Sequence, residues 1–196
     1  MKRYTTMVVA IGGIAGAAAL PISASSGAPV PGTSMVKTFP VTLTRDGLIM
    51  TGPRGQAPQN ALFGMARAAV MKIVSGALGA PARTGVHPDC GQGHGIGYAK
   101  FRSGIELSFV GGKFVGWTLG VGGDQNFRAN NGVGIGTTVA TLQRLFADVS
   151  IDRGNTKGGG RRPGFSSNIW FNGWLDGDRP TSKVTSLYAG QTCIVG

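Results

Sequence analysis

Glycine is the residue that most restricts what this chain can fold into, because 35 of its 196 residues are glycines. A glycine weakens a helix interior, since its backbone loses more conformational freedom on folding than that of any other residue. It also reaches positive φ without steric cost, which tight turns between short strands require. The composition therefore argues against a helical bundle, while the 41% hydrophobic content is enough to bury the core of one compact domain.

Two segments nevertheless carry the apolar spacing of amphipathic helices. The stronger one runs from Gln59 to Leu78, with apolar residues three and four positions apart, Asn60 as a possible N-cap and Gly79 just beyond its end. The second runs from Thr137 to Phe146, with Thr137 or Thr138 as its N-cap. We therefore expect a helix at the start of each half of the domain.

Strand patterns follow each predicted helix. The runs Ile105–Val110 and Lys113–Leu119 are rich in β-branched and aromatic residues, and Gly111-Gly112 between them is a preferred two-residue hairpin turn. The sequence therefore predicts a hairpin at this point. Further strands are predicted at Val149–Arg153, Asn168–Leu175 and Lys183–Ala189.

The two halves share the same order of predicted elements. Lys113–Gly120 aligns with Lys183–Gly190 at an offset of about 70 residues, and the predicted helices lie at a similar offset. We therefore expect an α+β fold of two tandem helix-plus-antiparallel-strand units, about residues 48–120 and 130–196, that form one sheet backed by helices. In this interpretation residues 1–24 are a signal peptide, 25–47 an extended segment and 48–196 a single domain.

The first residues match the pattern of an export signal. Lys2 and Arg3 precede an apolar run from Met7 to Leu20, and small residues up to Ala24 offer a processing site. The run has about 14 residues, whereas a membrane-spanning helix needs roughly 20. The sequence thus predicts a periplasmic or secreted protein without a transmembrane segment in its mature form. The glycines of the apolar run lack the spacing of a dinucleotide-binding turn, so no cofactor is predicted.

Two cysteines, Cys90 and Cys193, are the only ones in the chain. In an exported protein an even number of cysteines is interpreted first as a disulfide. A functional alternative is also open, because His87 and His94 flank Cys90 and are the only two histidines. A reduced Cys90 beside an imidazole is a candidate nucleophile of a cysteine-dependent enzyme, and the same three side chains could bind zinc or copper. We favour the disulfide and predict neither catalysis nor a metal site.

Short motifs resemble a group of exported bacterial proteins. Gly134–Leu142 and the terminal Leu187–Cys193 resemble segments of a group similar to the β-lactamase inhibitory protein and to small outer-membrane assembly lipoproteins of the BamE type. The segment Val110–Trp117 resembles a hairpin that is frequent in exported proteins of that group. The resemblance implies a concave antiparallel sheet backed by helices and used as a binding surface. The chain differs from the lipoproteins because it lacks their lipid-anchoring cysteine, and no partner can be transferred residue by residue.

Two groups of residues are candidates for a binding surface. Aromatic side chains anchor many protein interfaces, although in a small domain they also fill the core. A glycine-rich cationic loop precedes the most aromatic strand, and the chain is basic, with a formal charge of +11 that falls to about +9 without Lys2 and Arg3. The candidates are Trp117, Trp170, Phe171 and Trp174 for the aromatic group and Lys157, Arg161 and Arg162 for the cationic group.

The sequence therefore predicts a non-enzymatic binding or envelope-associated module without a metal or cofactor. Its basic character favours a protein or an anionic envelope component as the partner. Stacking residues beside cations also suit single-stranded nucleic acid, but one loop and one strand satisfy that pattern weakly, so nucleic acid is not favoured. The alternative function is a cysteine-dependent enzyme that uses Cys90 with His87 or His94.

Overall fold

A computed structural model describes residues 41–52, 57–90, 95–154, 162–169 and 171–193. The described chain is mostly β, with twelve strands in two sheets and two short helices, so the expected α+β fold with a helix-backed sheet is wrong. The helices have only 12 and 7 residues. Helices of that length are too short to cover an eight-stranded sheet, and a second sheet packs against it as well.

The elements follow one another in the order β1–β3, α1, β4–β8, α2 and β9–β12. Their bounds are Val41–Thr44 (β1), Gly47–Met50 (β2), Gln59–Leu62 (β3), Arg67–Leu78 (α1), Arg83–His87 (β4), Ile96–Lys100 (β5), Ile105–Val110 (β6), Lys113–Leu119 (β7), Arg128–Ala129 (β8), Val139–Leu145 (α2), Ser150–Asp152 (β9), Gly164–Ser166 (β10), Asn172–Leu175 (β11) and Val184–Gly190 (β12).

The eight-stranded sheet has the strand order β4-β5-β6-β7-β12-β11-β10-β9. All of its strand pairs are antiparallel. Strands β4–β7 follow α1 and pair in chain order, and strands β9–β12 follow α2 and do the same. The two groups meet where β7 pairs with β12. The two segments that align in sequence, 113–120 and 183–190, thus contain neighbouring strands at the centre of this sheet.

The hairpin predicted around Gly111-Gly112 is confirmed. Strands β6 and β7 have the predicted bounds, and the two turn glycines have φ of +54° and +74°. Phe109 and Phe114 are cross-strand partners whose ring centroids lie 5.9 Å apart. Both side chains are buried, so the turn and the packing of the aromatic pair specify the same register.

The first predicted helix is wrong over its first eight residues, because Gln59–Leu62 is strand β3, paired antiparallel with β2, and the helix begins only at Arg67. Asn60 is therefore not a helix cap. Helix α1 begins after Ala66, which has an extended backbone and no side-chain capping hydrogen bond. It ends at Gly79 as predicted, with the Gly79 N–H donating to the Ser75 carbonyl. Helix α2 begins after Thr138, whose hydroxyl accepts from the backbone N–H of Thr141 at 3.3 Å.

One hydrophobic core joins both sheets and both helices. The four-stranded sheet has the order β3-β2-β1-β8, and the indole N–H of Trp117 on β7 donates to the Thr44 carbonyl on β1 at 2.9 Å. The Trp117 ring packs edge to face on Phe171 at 5.9 Å between centroids, and Phe171 packs edge to face on Phe146 at 6.0 Å. One face of the eight-stranded sheet is therefore core, and its other face points away from that core.

Candidate binding face

The outer face of the eight-stranded sheet is the face that points away from the core. Direct cross-strand partners share a face, because successive side chains of a strand alternate between the two sides. Registers across six strands place one continuous row on the outer face: Arg83, Lys100, Glu106, Thr118, Tyr188 and Asn172. Each of these residues is exposed or half-buried, whereas the neighbouring inner row of Leu107, Trp117 and Ala189 is buried.

A histidine–glutamate–tyrosine cluster lies on the outer face of β4, β5 and β6. The Nε2 of His87 lies 3.0 Å from the Oε1 of Glu106, and the His87 ring stacks on Tyr98 at 4.4 Å between centroids and 24° between planes. The side chains of His87 and Glu106 remain 31% and 19% exposed. Gly85 makes room for the Tyr98 ring, because a Cβ there would lie 2.8 Å from a ring carbon. The cluster is therefore polar and partly solvated, and its side chains hold one another in place.

A second aromatic group lies on the outer face of β11 and β12. The rings of Trp174 and Tyr188 lie 6.4 Å apart between centroids, and Asn172 is the cross-strand partner of Tyr188. The Asn172 side-chain oxygen accepts from the backbone N–H of Ser167 at 3.3 Å. This hydrogen bond holds the Asn172 amide, and the neighbouring Tyr188 ring is half-buried. Both side chains would therefore lose little conformational freedom on contact with a partner.

The predicted disulfide between Cys90 and Cys193 is present, with 5.3 Å between the two Cα atoms. The residues after β12, Gln191–Cys193, are named here the C-terminal strap. A Cβ at Gly116, on the outer face of β7, would collide with the Gln191 carbonyl oxygen and lie 2.8 Å from the Thr192 methyl group. Thr192 is fully buried. The disulfide therefore fastens the strap across the middle of the outer face and leaves an aromatic and polar group on each side.

The disulfide also bears on the enzymatic and metal alternatives. Cys90 is buried, and its sulfur is bonded to Cys193, so this state offers no thiolate. His87 faces Glu106 and Tyr98, and His94 lies outside the described residues. Within the described ranges, no group of three His, Cys, Asp or Glu side chains is arranged to hold a metal ion.

The structure separates the aromatic candidates into two groups. Trp117 and Phe171 are 0% and 1% exposed and belong to the core, which was the alternative role for these residues. Trp174 lies on the outer face, and Trp170 lies outside the described residues. Sequence reasoning missed Tyr98 and the pairing of His87 with Glu106, because only the register of β4, β5 and β6 brings these residues together.

Of the cationic candidates, Arg162 is exposed just before β10. Lys157 and Arg161 lie outside the described residues, as does the predicted signal peptide 1–24. In the part of the chain that the structure describes, neither helix is long and apolar enough to cross a membrane.

Comparisons with known proteins complete the description of this face. No protein-family model, no curated protein and no solved structure matches the chain. The resemblance to the β-lactamase inhibitory protein and the BamE-type lipoproteins thus gains no support from them, and any function has to be argued from the residues of the outer face.

Proposed function

We propose that the protein is an exported, non-enzymatic binding module of the cell envelope that holds its partner on the outer face of the eight-stranded sheet. The observation that carries this proposal is the outer-face row from Arg83 to Asn172, which runs across six neighbouring strands. Aromatic rings beside hydroxyl, amide and charged groups are the composition of protein recognition surfaces. The order of the side chains is fixed by sheet register, so the surface exists before a partner binds.

Export is part of the same proposal. The signal-like segment 1–24 would deliver the chain to an oxidising compartment, where disulfides form and persist. The bond between Cys90 and Cys193 is compatible with such a compartment. Mass spectrometry of the exported protein without reductant should give the mass of a chain cleaved after Ala24 with both cysteines oxidised. An unprocessed chain with two free thiols in the cytosol would contradict export.

The net charge supports an anionic envelope component, or an acidic protein exposed there, as the partner. The whole chain carries a formal charge of +11 at pH 7. A basic domain is attracted to anionic surfaces over a distance of about a Debye length, roughly 8 Å at physiological salt. Binding should therefore weaken as salt is added, because screening reduces the long-range attraction without changing the aromatic contacts.

The test uses the oxidised, mature protein as bait in envelope extract. Trp174→Ala should reduce retention of the bound component by about tenfold, since central aromatics often contribute more than 1 kcal/mol to binding. Arg144→Ala on α2 is the matched surface control and should bind as the wild type does, because α2 is not part of the outer face. Equal retention by all three proteins would refute binding through this face.

The rival function, an enzyme built on Cys90, predicts a different result. Such an enzyme needs a reactive thiolate, so an alkylating reagent should label Cys90 in the native exported protein. The binding-module proposal expects labelling only after reduction, because the sulfur is bonded to Cys193. Rapid labelling of Cys90 without reductant would favour the enzyme and overturn the proposal.

A further inference from the structure

We propose that strand β4 is a second recognition element, which binds an extended acidic peptide segment by adding it as a further strand to the eight-stranded sheet. This site adds the edge of the sheet to the proposed outer face: it shares Arg83 and Lys100 with the outer-face row and uses none of the residues of β11 and β12. In strand addition the main chain of the edge strand supplies hydrogen bonds, and the alternating side chains supply specificity. Strand β4 has the position, the backbone and the side chains for this role.

Strand β4 is an edge of the eight-stranded sheet and the longest edge strand in the described chain. It has five residues, whereas the other edges β9, β3 and β8 have three, four and two. Among the described residues no strand pairs with the side of β4 that faces away from β5. An edge strand presents a row of backbone N–H and C=O groups that can pair with another chain.

The backbone of β4 lacks two common devices that blunt such edges, an internal proline and a β-bulge. Its five residues, Arg83–His87, contain no proline. They pair with β5 in an unbroken antiparallel register from Arg83 opposite Lys100 to His87 opposite Ile96. In contrast, register shifts interrupt the pairing of β6 with β7 and of β11 with β12. The straight edge of β4 can therefore accept several consecutive residues of an incoming strand.

The side chains of β4 indicate which peptide would fit. On the outer side Arg83 is exposed and lies opposite Lys100, and no carboxylate in the described chain forms a salt bridge with either cation. Glu106, the partner of Lys100 on β6, is bound to His87 instead. An incoming strand would place one outer side chain directly opposite Arg83, and its next outer side chains opposite Gly85 and His87. An acidic residue opposite Arg83 would supply the missing negative charge.

The other side of β4 calls for apolar residues. Val86 points to the side opposite Arg83 and is 59% exposed, one of the most exposed large hydrophobic residues in the described chain. A side chain of the incoming strand next to Val86 would cover it, and burial of apolar surface contributes about 25 cal/mol per Å². The fitting segment thus carries an acidic residue opposite Arg83 on its outer side and an apolar residue beside Val86 on its other side, a pattern that an alternating acidic and apolar peptide contains.

A second copy of this chain fits β4 less well than an acidic peptide does. Antiparallel self-pairing would place no carboxylate of β4 beside Arg83 of the other copy, because Arg83–His87 contains none, and it would bring together two mature molecules with a formal charge of about +9 each. Repulsion between two molecules of the same charge opposes their association. The charge of β4 therefore favours an acidic partner over a homodimer.

The test measures fluorescence anisotropy of labelled peptides with the oxidised, mature protein. A peptide of alternating glutamate and valine should bind at least about tenfold more tightly than one of alternating lysine and valine. Arg83→Glu should reverse this preference, whereas the matched control Arg144→Glu on α2 should keep it. Val86→Ser should weaken the glutamate–valine peptide without changing the preference for its charge.

Backbone methylation separates strand addition from simple charge attraction. Successive N–H groups of a strand point in opposite directions, so N-methylation of every second residue of the peptide should abolish binding for one of the two alternating sets and spare the other. Hydrogen exchange should show that the peptide protects amides of β4 in the wild type. If both methylated peptides bind like the unmethylated one, or if Arg83→Glu leaves the preference unchanged, strand addition at β4 is refuted.

Full protection of the β4 edge before any peptide is added would also overturn this inference. If the β4 amides are all protected before any peptide is added, another segment of the chain or a second copy occupies the edge, and sedimentation velocity distinguishes these two cases. Because Trp174→Ala lies on the other half of the sheet, it should leave peptide binding unchanged. Failure of the outer-face proposal and failure of strand addition at β4 are therefore separate results.

Discussion

At the scale of single residues, Asp148 orders the segment that leads into β11. Its Oδ2 accepts a hydrogen bond from the Ser167 hydroxyl at 2.7 Å and from the backbone N–H groups of Asn168 and Ile169 at 2.9 and 3.2 Å. The hydrogen bond from the Ser167 hydroxyl is the main cause of the lowered pKa of the Asp148 carboxyl. Desolvation raises this pKa, and the backbone N–H groups of Asn168 and Ile169 lower it further. The charged form of this side chain thus stabilises the folded state.

The lowered pKa of Asp148 predicts a pH-dependent contribution to stability. A carboxyl with a lowered folded-state pKa stabilises the fold above its unfolded-state pKa of about 3.9, and the contribution is lost as the pH falls through the folded-state value. Asp148→Asn should therefore lower the free energy of unfolding at pH 7, with a difference that narrows below about pH 4. Urea unfolding between pH 7 and pH 2 measures this. Ser167→Ala should reproduce part of the effect, and a pH-independent difference would contradict it.

At the scale of elements, local sequence was sufficient where a turn and its flanking residues agree. The hairpin β6–β7 could be predicted to the residue because Gly111-Gly112 specifies the turn and both flanking runs favour strands. The end of α1 could be predicted for a similar reason, since Gly79 has a φ of +80° that favours glycine. Each of these signals acts within a few residues and does not depend on the rest of the fold.

The start of α1 could not be predicted, because apolar residues at helical spacing continue into β3. Ala61 is fully buried and lies opposite Leu48 of β2, so its apolar character serves the sheet and not a helix. Gly64, with a φ of +86°, separates the strand from the helix. A glycine inside an apolar run has several possible roles, and only the pairing with β2 decides between them.

Two glycine substitutions, one beneath the C-terminal strap and one in helix α1, should have opposite effects on stability. Gly116→Ala should destabilise the protein by about 1–3 kcal/mol, because its Cβ would collide with the Gln191 carbonyl oxygen. Gly76→Ala in the interior of α1 should stabilise it by about 0.5–1 kcal/mol, since its Cβ meets no atom within 4 Å and alanine favours the helix. Urea unfolding of both variants tests the pair. An unchanged Gly116→Ala variant would show that the strap does not lie against β7.

At the scale of the whole molecule, the outer face depends on strand order, which local patterns do not contain. Thr118 and Tyr188 become neighbours only because β7 pairs with β12, and Arg83 joins their row only through β5 and β6. The sequence does show that Trp174 and Tyr188 belong to strands. It does not show which side of a strand faces the core, because apolar and polar residues alternate imperfectly in such glycine-rich strands. The candidate face could therefore be found only from the register.

The disulfide is the covalent link that acts on the whole molecule, since it joins residues 103 positions apart. A cross-link of that length reduces the entropy of the unfolded chain and typically contributes about 2–5 kcal/mol. Reduction with dithiothreitol should therefore lower the free energy of unfolding by about that amount in urea. The variant Cys90→Ala/Cys193→Ala should be equally destabilised but insensitive to reductant.

Reduction should also loosen the C-terminal strap before it unfolds the core. Thr192 is fully buried beside Gly116, and the Gln191 N–H donates to the Val115 carbonyl at 2.8 Å. Without the link to Cys90, hydrogen exchange at Gln191 and Thr192 should accelerate under conditions where β6 remains protected, because a short segment outside the sheet opens at lower free energy than a central strand does. If strap and core exchange equally fast after reduction, the disulfide stabilises the fold as a whole and does not act mainly by holding the strap on the outer face.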